Sequence, residues 1–306
     1  MTVATPLASA TTSGVGNISR RRSVVWLGLV PFAAYVLLFL AIPAVLAVGS
    51  GFFDSTGKFT LANLAAFANP QILQHFWNSI WIAAVTAIAG SVIGAVVCFA
   101  LLGTKSDGFL RTIVDSASSV LAQFGGVMLA FAFIATIGAQ GIITKWLISI
   151  GLVQNVFNNF DGKGVLLYQV VGLLIPYLYF QVPLMVLTFM PAMEGLKSTW
   201  AEANATLGGT RGTFWLRIGM PILAPAFFGS LILLFANSFS SYATAAALIS
   251  SQAVITPLDI KQQLTSETVV GVSNTAGVLA LGMVIVMIVL MTGYSALQRR
   301  ASRWQR

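Results

Sequence analysis

The side chains that most often carry chemistry are scarce in this chain. Among 306 residues there is one His, His75, and one Cys, Cys98, too few for a disulfide framework or a Cys/His metal cluster. Only Glu194 and Glu202 stand near each other as acids close to an apolar span, so acid–base or metal chemistry of an integral-membrane enzyme has few groups to use. A phosphate-cradling G-x-x-x-x-G-K-[ST] loop is missing: Gly57-Lys58 and Gly162-Lys163 lack both the earlier Gly and the following Ser/Thr. The chemistry left to the chain is that of surfaces and polar walls, set by where its few charges and polar residues stand.

Those positions follow from composition. The 16 Lys/Arg and 8 Asp/Glu amount to 8% of the chain, and 57% of it is apolar. A soluble domain carries about a quarter charged residues, so a soluble enzyme is excluded. The net charge of +8 has no basic stripe interleaved with aromatics, so no nucleic-acid partner is expected. Six stretches, 24–48, 79–102, 117–138, 165–190, 226–249 and 276–297, contain no Asp, Glu, Lys, Arg or His. Each is long enough to cross about 30 Å of hydrocarbon as a helix. The sequence therefore predicts an all-α integral membrane fold with six transmembrane helices, surrounded by lipid.

The cations assign the orientation. With both termini in the cytoplasm, Arg20, Arg21, Arg22, Lys105, Arg111, Lys197, Arg211, Arg217, Arg299, Arg300, Arg303 and Arg306 lie inside, against Lys58, Lys145, Lys163 and Lys261 outside, a split of 12 to 4 of the 16. Counting the apolar segment 142–156 as a seventh span would abolish this bias, so it reads as an interfacial or re-entrant helix with Trp146 at headgroup depth. Residues 1–23 read as a disordered cytoplasmic tail and 298–306 as a basic cytoplasmic tail. Ser19-Arg20-Arg21-Arg22 faintly resembles a twin-arginine export signal, but the apolar run behind it is too long for one, and it reads as a cytoplasmic stop on the first span.

One cytoplasmic connection, 191–225, carries more pattern than a loop needs. Thr199 to Leu207 are helix formers without a breaker, Gly208-Gly209 stops them, a second helical piece is expected from Thr213 to Met220, and Pro221 and Pro225 set the start of the fifth span. This predicts a helix-turn-helix at the membrane surface. Glu202-Ala203, Gly208, Ile218 and Pro221, at their spacing, resemble the "EAA" signature of permease subunits of binding-protein-dependent ATP-binding-cassette importers of type I. Asn204 replaces the second Ala of that signature and Met220 its Leu.

The resemblance implies that this loop docks on a separate cytoplasmic ATPase dimer through Glu202, Ala203, Gly208, Gly209, Ile218 and Pro221. It implies that ATP and Mg are bound by that partner with no cofactor on this chain, and that ATP hydrolysis resides there. It further implies a second permease subunit, an extracytoplasmic solute-binding protein, and location in the bacterial cytoplasmic (inner) membrane. The segment Phe235–Thr244, with Ile255-Thr256-Pro257-Leu258, is loosely similar to the polyamine, iron and phosphonate branch of that family.

Polar residues within spans mark a candidate translocation path. Asn237, Ser240, Ser241 and Thr244 fall at i, i+3, i+4 and i+7 on the fifth span, which on one helix makes a polar stripe. The fourth span carries Gln169 and Gln181, together with Tyr177, Pro176 and Pro183. The same residues could equally hold helices together by hydrogen bonds worth about 1 kcal/mol or less. Gly90 and Gly94 on the second span read as a small-xxx-small packing patch. The rival to an ATP-driven importer is an ion-coupled secondary transporter. The spans hold no carboxylate or His for proton coupling, while Na⁺ coupling through carbonyls and hydroxyls stays open.

Overall fold

Hydropathy finds the lipid-buried part of a helix, and caps and breaks find its ends, which is why helix bounds and predicted spans differ in both directions. A computed structural model of the chain describes residues 19–54, 56–104, 108–151, 166–249, 255–265 and 272–302. It falls into two compact units, Met1–Gly49 and Ser50–Arg306.

The described part of the first unit is α1 (Ser19–Val36), a π-helical turn (Leu37–Ala41) and the start of α2 (Ile42–Ser50). The π turn contains Phe39, whose carbonyl stands four residues before Pro43 and could receive no N–H from it, so the wider turn falls where the proline interrupts the ladder. Helix begins at Ser19, so residues 19–23, expected to belong to a disordered tail, are helical. Residues 1–18 of the expected tail lie outside the described residues.

In the second unit, Asn69 caps α3 (Pro70–Leu101) by accepting from Gln71 N at 3.0 Å, with Pro70 in the first helical turn. At 32 residues α3 is about 48 Å long, so its first turns extend past the hydrocarbon and carry His75. The third crossing differs from the continuous helix expected over 117–138. It is broken into α4 (Phe109–Gln123) and α5 (Gly126–Ile137) at Gly126, whose φ of +72° ends the helical path. α6 (Ile142–Ser149) follows α5 and packs on it, and residues 152–156 of the expected interfacial segment lie outside the described residues.

Two 3₁₀ turns, Leu166–Tyr168 and Val170–Leu173, lead into α7 (Leu174–Glu194). Then come α8 (Ser198–Thr206), α9 (Arg211–Phe214), a π turn (Trp215–Gly219), α10 (Met220–Phe239), α11 (Ala243–Ile249), α12 (Thr256–Thr265) and α13 (Val272–Ser302). α13 runs to Ser302, so residues 298–302 of the expected basic tail are helical, while 303–306 lie outside the described residues.

Among the described residues, six helical stretches are long and apolar enough to cross a membrane: Gly28–Ser50, Pro70–Leu101, Gly126–Ser149, Val170–Glu194, Arg211–Phe239 and Asn274–Ala296. The third of them takes in α6 and Lys145, whereas α5 alone is 12 residues, about 18 Å, too short to span by itself. α4 packs along α7, α5 along α11, and α3 against both α7 and α10. No strand is present among the described residues beyond a single Phe53–Phe59 bridge.

Helix direction sorts the second unit into two ends. One gathers Leu101, Met193 and Leu223 in a common apolar cluster with Val114, Leu196 and Trp215 packed against it. α13 joins that end where the Tyr294 hydroxyl donates to Pro225 O at 2.8 Å. The other end gathers Leu129, Leu167, Leu173, Tyr177, Ile249 and Leu258. Between them the glycine patch behaves as predicted: a Cβ on Gly94 would stand 2.5 Å from Met185 Cβ, and one on Gly90 2.9 Å from Gln181 Cβ. The backbones of α3 and α7 therefore meet at these two glycines.

Candidate functional site

The connection between α7 and α10 sits at the end that collects Leu101, Arg111 and Glu194. α8 buries none of its residues. Glu202 and Ala203 are exposed on it, and Glu202 makes no ion pair among the described residues. Leu207, just past the helix, is 88% exposed, and Leu216 is exposed as well. α8 is half-buried only at Trp200 and Asn204 and leaves the rest of its surface open, with apolar side chains exposed beside it.

The turn behind α8 is fixed from within. Gly208 has φ +79°, a left-handed conformation that favours glycine. Gly209 N donates to Asn204 O at 2.8 Å, and Asn204 Nδ2 donates to Thr210 O at 3.1 Å. Thr210 then caps α9, its hydroxyl accepting from Thr213 N at 3.3 Å. So Asn204, one of the two departures from the signature, supplies a staple that an alanine could not.

The second helical piece expected at Thr213–Met220 is not separate. α9, the π turn and α10 form one continuous helical path, and the helix-turn-helix is α8 against the base of the fifth crossing. Pro221 has no N–H for the Arg217 carbonyl four residues back, and the π turn Trp215–Gly219 falls at that gap. Ile218 is half-buried within this turn and Pro221 is exposed just after it. The signature residues are thus brought to one connection, spread over helix, turn and helix base.

The polar stripe expected on the fifth span does not exist. α10 ends at Phe239, Ser240 is its C-cap, and α11 starts only at Ala243, so Thr244 is no longer in helical register with Asn237. Asn237 and Ser240 are exposed, Ser241 is half-buried and Thr244 is fully buried. The Ser240 hydroxyl donates to Ala236 O at 2.8 Å and that of Thr244 to Gly126 O at 3.2 Å, bonds that satisfy the chain's own backbone. Gln169 stands at the head of a 3₁₀ turn.

Gln181 alone is central, fully buried in α7, its Nε2 donating to Thr86 Oγ1 at 2.8 Å while its Oε1 has no protein partner. Thr86 also shares a 3.0 Å bond with the buried Ser238 of α10, so one polar knot ties α3, α7 and α10. An apolar groove of about 570 Å³ near the α8 end is walled by Phe99, Phe189, Met193, Trp215, Leu223 and Phe227, none of them a candidate path residue.

Three polar contacts escape a reading of the sequence because each joins at least one pair of residues far apart in the chain. The Arg111 guanidinium is buried between Asp115 and Glu194, Thr86 meets Ser238, and the His75 Nδ1–H donates to Asp259 Oδ2 at 2.8 Å. Thr210 is missed too, although a hydroxyl between a glycine pair and a helix is an N-cap pattern that could have found it.

No protein-family model matches the chain. It is 24% identical over 288 residues to the probable ABC transporter permease protein y4fN of Sinorhizobium fredii, covering 88% of this chain and 45% of that protein. It is 24% identical over 174 residues to the sulfate transport system permease protein CysT of Escherichia coli, covering 57% and 58%. With the spermidine/putrescine transport system permease protein PotB of Haemophilus influenzae it shares 20% identity over 236 residues, 75% and 79% of the two chains. The chain spans about half the length of the first two relatives.

Its fold is shared with a chain of a bacterial ABC transporter involved in the import of the acidic polysaccharide alginate, at a TM-score of 0.70 and 15% identity over 92% of this chain and 96% of that one. The alginate transporter in complex with an alginate pentasaccharide-bound periplasmic protein gives a TM-score of 0.69 at the same identity and coverage. The chain is thus a multi-pass membrane protein, similar in sequence to transport-system permease proteins and in fold to chains of ABC importers.

Proposed function

We propose that the chain is the membrane-spanning permease subunit of an ATP-driven solute importer in the bacterial inner membrane, and that α8 with its turn docks on a separate cytoplasmic ATPase. The observation that carries this reading is a helix with no buried residue, ending in the 88% exposed Leu207, on a turn whose conformation is fixed by Gly208, Gly209 and Asn204. Glu202 supplies a charge for a cation on the partner, and Ala203 lets its backbone approach closely. ATP and Mg belong to the ATPase dimer, and the chain itself is non-catalytic. A second permease subunit, the same or a different chain, completes the path, and an extracytoplasmic binding protein delivers the solute. Names of relatives that include sulfate and spermidine/putrescine do not single out one solute.

Co-expression with the ATPase and permease genes adjacent to its own tests this. A stable complex that hydrolyses ATP is the expected result. A single chain that transports in response to an ion gradient without any ATPase would establish the secondary-transporter reading in its place. Within the complex, Glu202→Lys and Gly208→Pro should each release the ATPase while leaving membrane insertion intact.

A further inference from the structure

α8 has no core of its own, so its position depends on its two connections. The turn Gly208–Thr210 holds one end. The other end is three residues, Gly195 to Lys197, after the last residue of α7, Glu194.

Glu194 is poorly placed on helix grounds. A carboxylate in the last turn of a helix meets the negative end of the macrodipole, where cations are favoured. What it meets here is Arg111 of α4, whose Nη2 donates to Glu194 Oε1 and whose Nε donates to Asp115 Oδ2 at 3.1 Å. The Arg111 side chain is 8% exposed, against 45% and 48% for its two acids. A guanidinium so buried is tolerated only when paired, and removing one partner of such a pair destabilises strongly. Asp115 lies on the same helix as Arg111 and anchors the arginine head in place. Glu194 lies on another helix, and its bond therefore ties α4 to the end of α7 immediately before α8.

From this geometry we infer that Arg111 is a positioning residue for ATPase docking: through Glu194 it clamps the root of α8 to α4, so that a displacement of α8 reaches the third and fourth crossings together. The inference rests on the reading of α8 as the docking helix. Gly195, the C-cap of α7, lies between the clamp and α8, so the clamp fixes the end of α7 on which α8 is hung; without it that last turn can shift under α8 while α4 stays still. With it, movement passes into α4 and, through the break at Gly126, to α5 and its neighbour α11.

The test uses the full chain in lipid nanodiscs, with Cys98 replaced by alanine and spin labels on cysteines at Ser116 of α4 and Thr206 of α8. The unaltered clamp gives one narrow distance distribution. Glu194→Gln and Arg111→Met each widen it at least twofold; the second strands no buried charge and so keeps the fold. In the complex with the co-expressed ATPase, both variants retain at least fivefold less ATPase per folded permease.

Unchanged widths in both variants would overturn the clamp. Widening with undiminished ATPase retention would reduce it to a local structural contact and overturn the positioning role. If the unaltered chain retains no ATPase, the docking reading itself fails, and the distance measurement still decides whether Arg111 holds α8.

Discussion

The Asn204 side chain occupies the space that a Cβ on Gly209 would need, while its Nδ2 donates to Thr210 O at 3.1 Å. The two residues are therefore coupled: the asparagine closes the turn behind α8, and only glycine at 209 leaves it room. Gly209→Ala should force Asn204 out and cost about 1–3 kcal/mol locally, the range for overpacking. Asn204→Ala should lose the staple alone, and the double variant should recover most of the overpacking cost, a non-additivity expected of residues in contact. Trypsin cleavage at Arg211 under native conditions reads the turn directly, and equal cleavage of Gly209→Ala and the double variant would refute the coupling.

Gly94 makes a parallel demand within the membrane. A Cβ there would stand 2.5 Å from Met185 Cβ and 3.0 Å from Val182 O, so Gly94→Ala should push α3 from α7 and lower the thermal midpoint of the detergent-purified chain by the equivalent of about 1–3 kcal/mol. Gly103→Ala, whose nearest neighbour would be Ala100 O at 3.9 Å, should leave the midpoint unchanged.

How much of this was legible depends on the range of the signal. The number of crossings, the glycine patch and the turn at Gly208 follow from apolar length, small-residue spacing and glycine's access to positive φ, all local. The break of the third crossing at Gly126 was missed because a continuous apolar run reads as one helix, and a glycine inside it signals a break only when its φ is known. The fifth span failed in the same way. Ser240 and Ser241 fit a helical stripe by spacing, but the helix stops at Phe239, and a hydrophobic window does not see that stop. Arg111 and Glu194 are 83 residues apart, so nothing in one sequence pairs them.

Gln181 separates two roles for buried polar residues. Its Nε2 bonds Thr86, which also bonds Ser238, while Oε1 is unpartnered. Thr86→Val should strand the buried amide and cost about 1–3 kcal/mol. Gln181→Met removes the unpartnered oxygen along with the one bond and should cost less than about 1 kcal/mol. Comparing the two midpoints of thermal unfolding checks this. A larger loss for Gln181→Met than for Thr86→Val would show that the amide oxygen is bonded to something beyond these side chains.

Orientation is testable at the same connection that is proposed to dock. A cysteine at Ser198, exposed at the start of α8, should resist a membrane-impermeant thiol reagent applied to intact cells and react after permeabilisation. Cys98 is fully buried and gives little background. Labelling of the Ser198 position from outside would invert the assignment that rests on the 12-to-4 split of cations.

At the opposite end, the pairing of α3 with α12 should depend on pH through Asp259. Burial pushes this carboxyl up, but hydrogen bonds from His75 and Gln263 outweigh it and hold the group below its ordinary value of 3.8. A carboxyl depressed on folding contributes stability that is fully present above its unfolded value, about 3.9, and is lost as pH falls through the lower folded value. The window therefore lies below about pH 4. At pH 7, Asp259→Asn should be less stable by about 1.5–3 kcal/mol, the range for hydrogen bonds to a charged group. Below pH 4 the two curves should converge as the native carboxyl takes up its proton. Thermal midpoints measured from pH 3 to 7 decide the matter: parallel curves for the unaltered chain and Asp259→Asn would show that the His75–Asp259 contact contributes nothing through its charge.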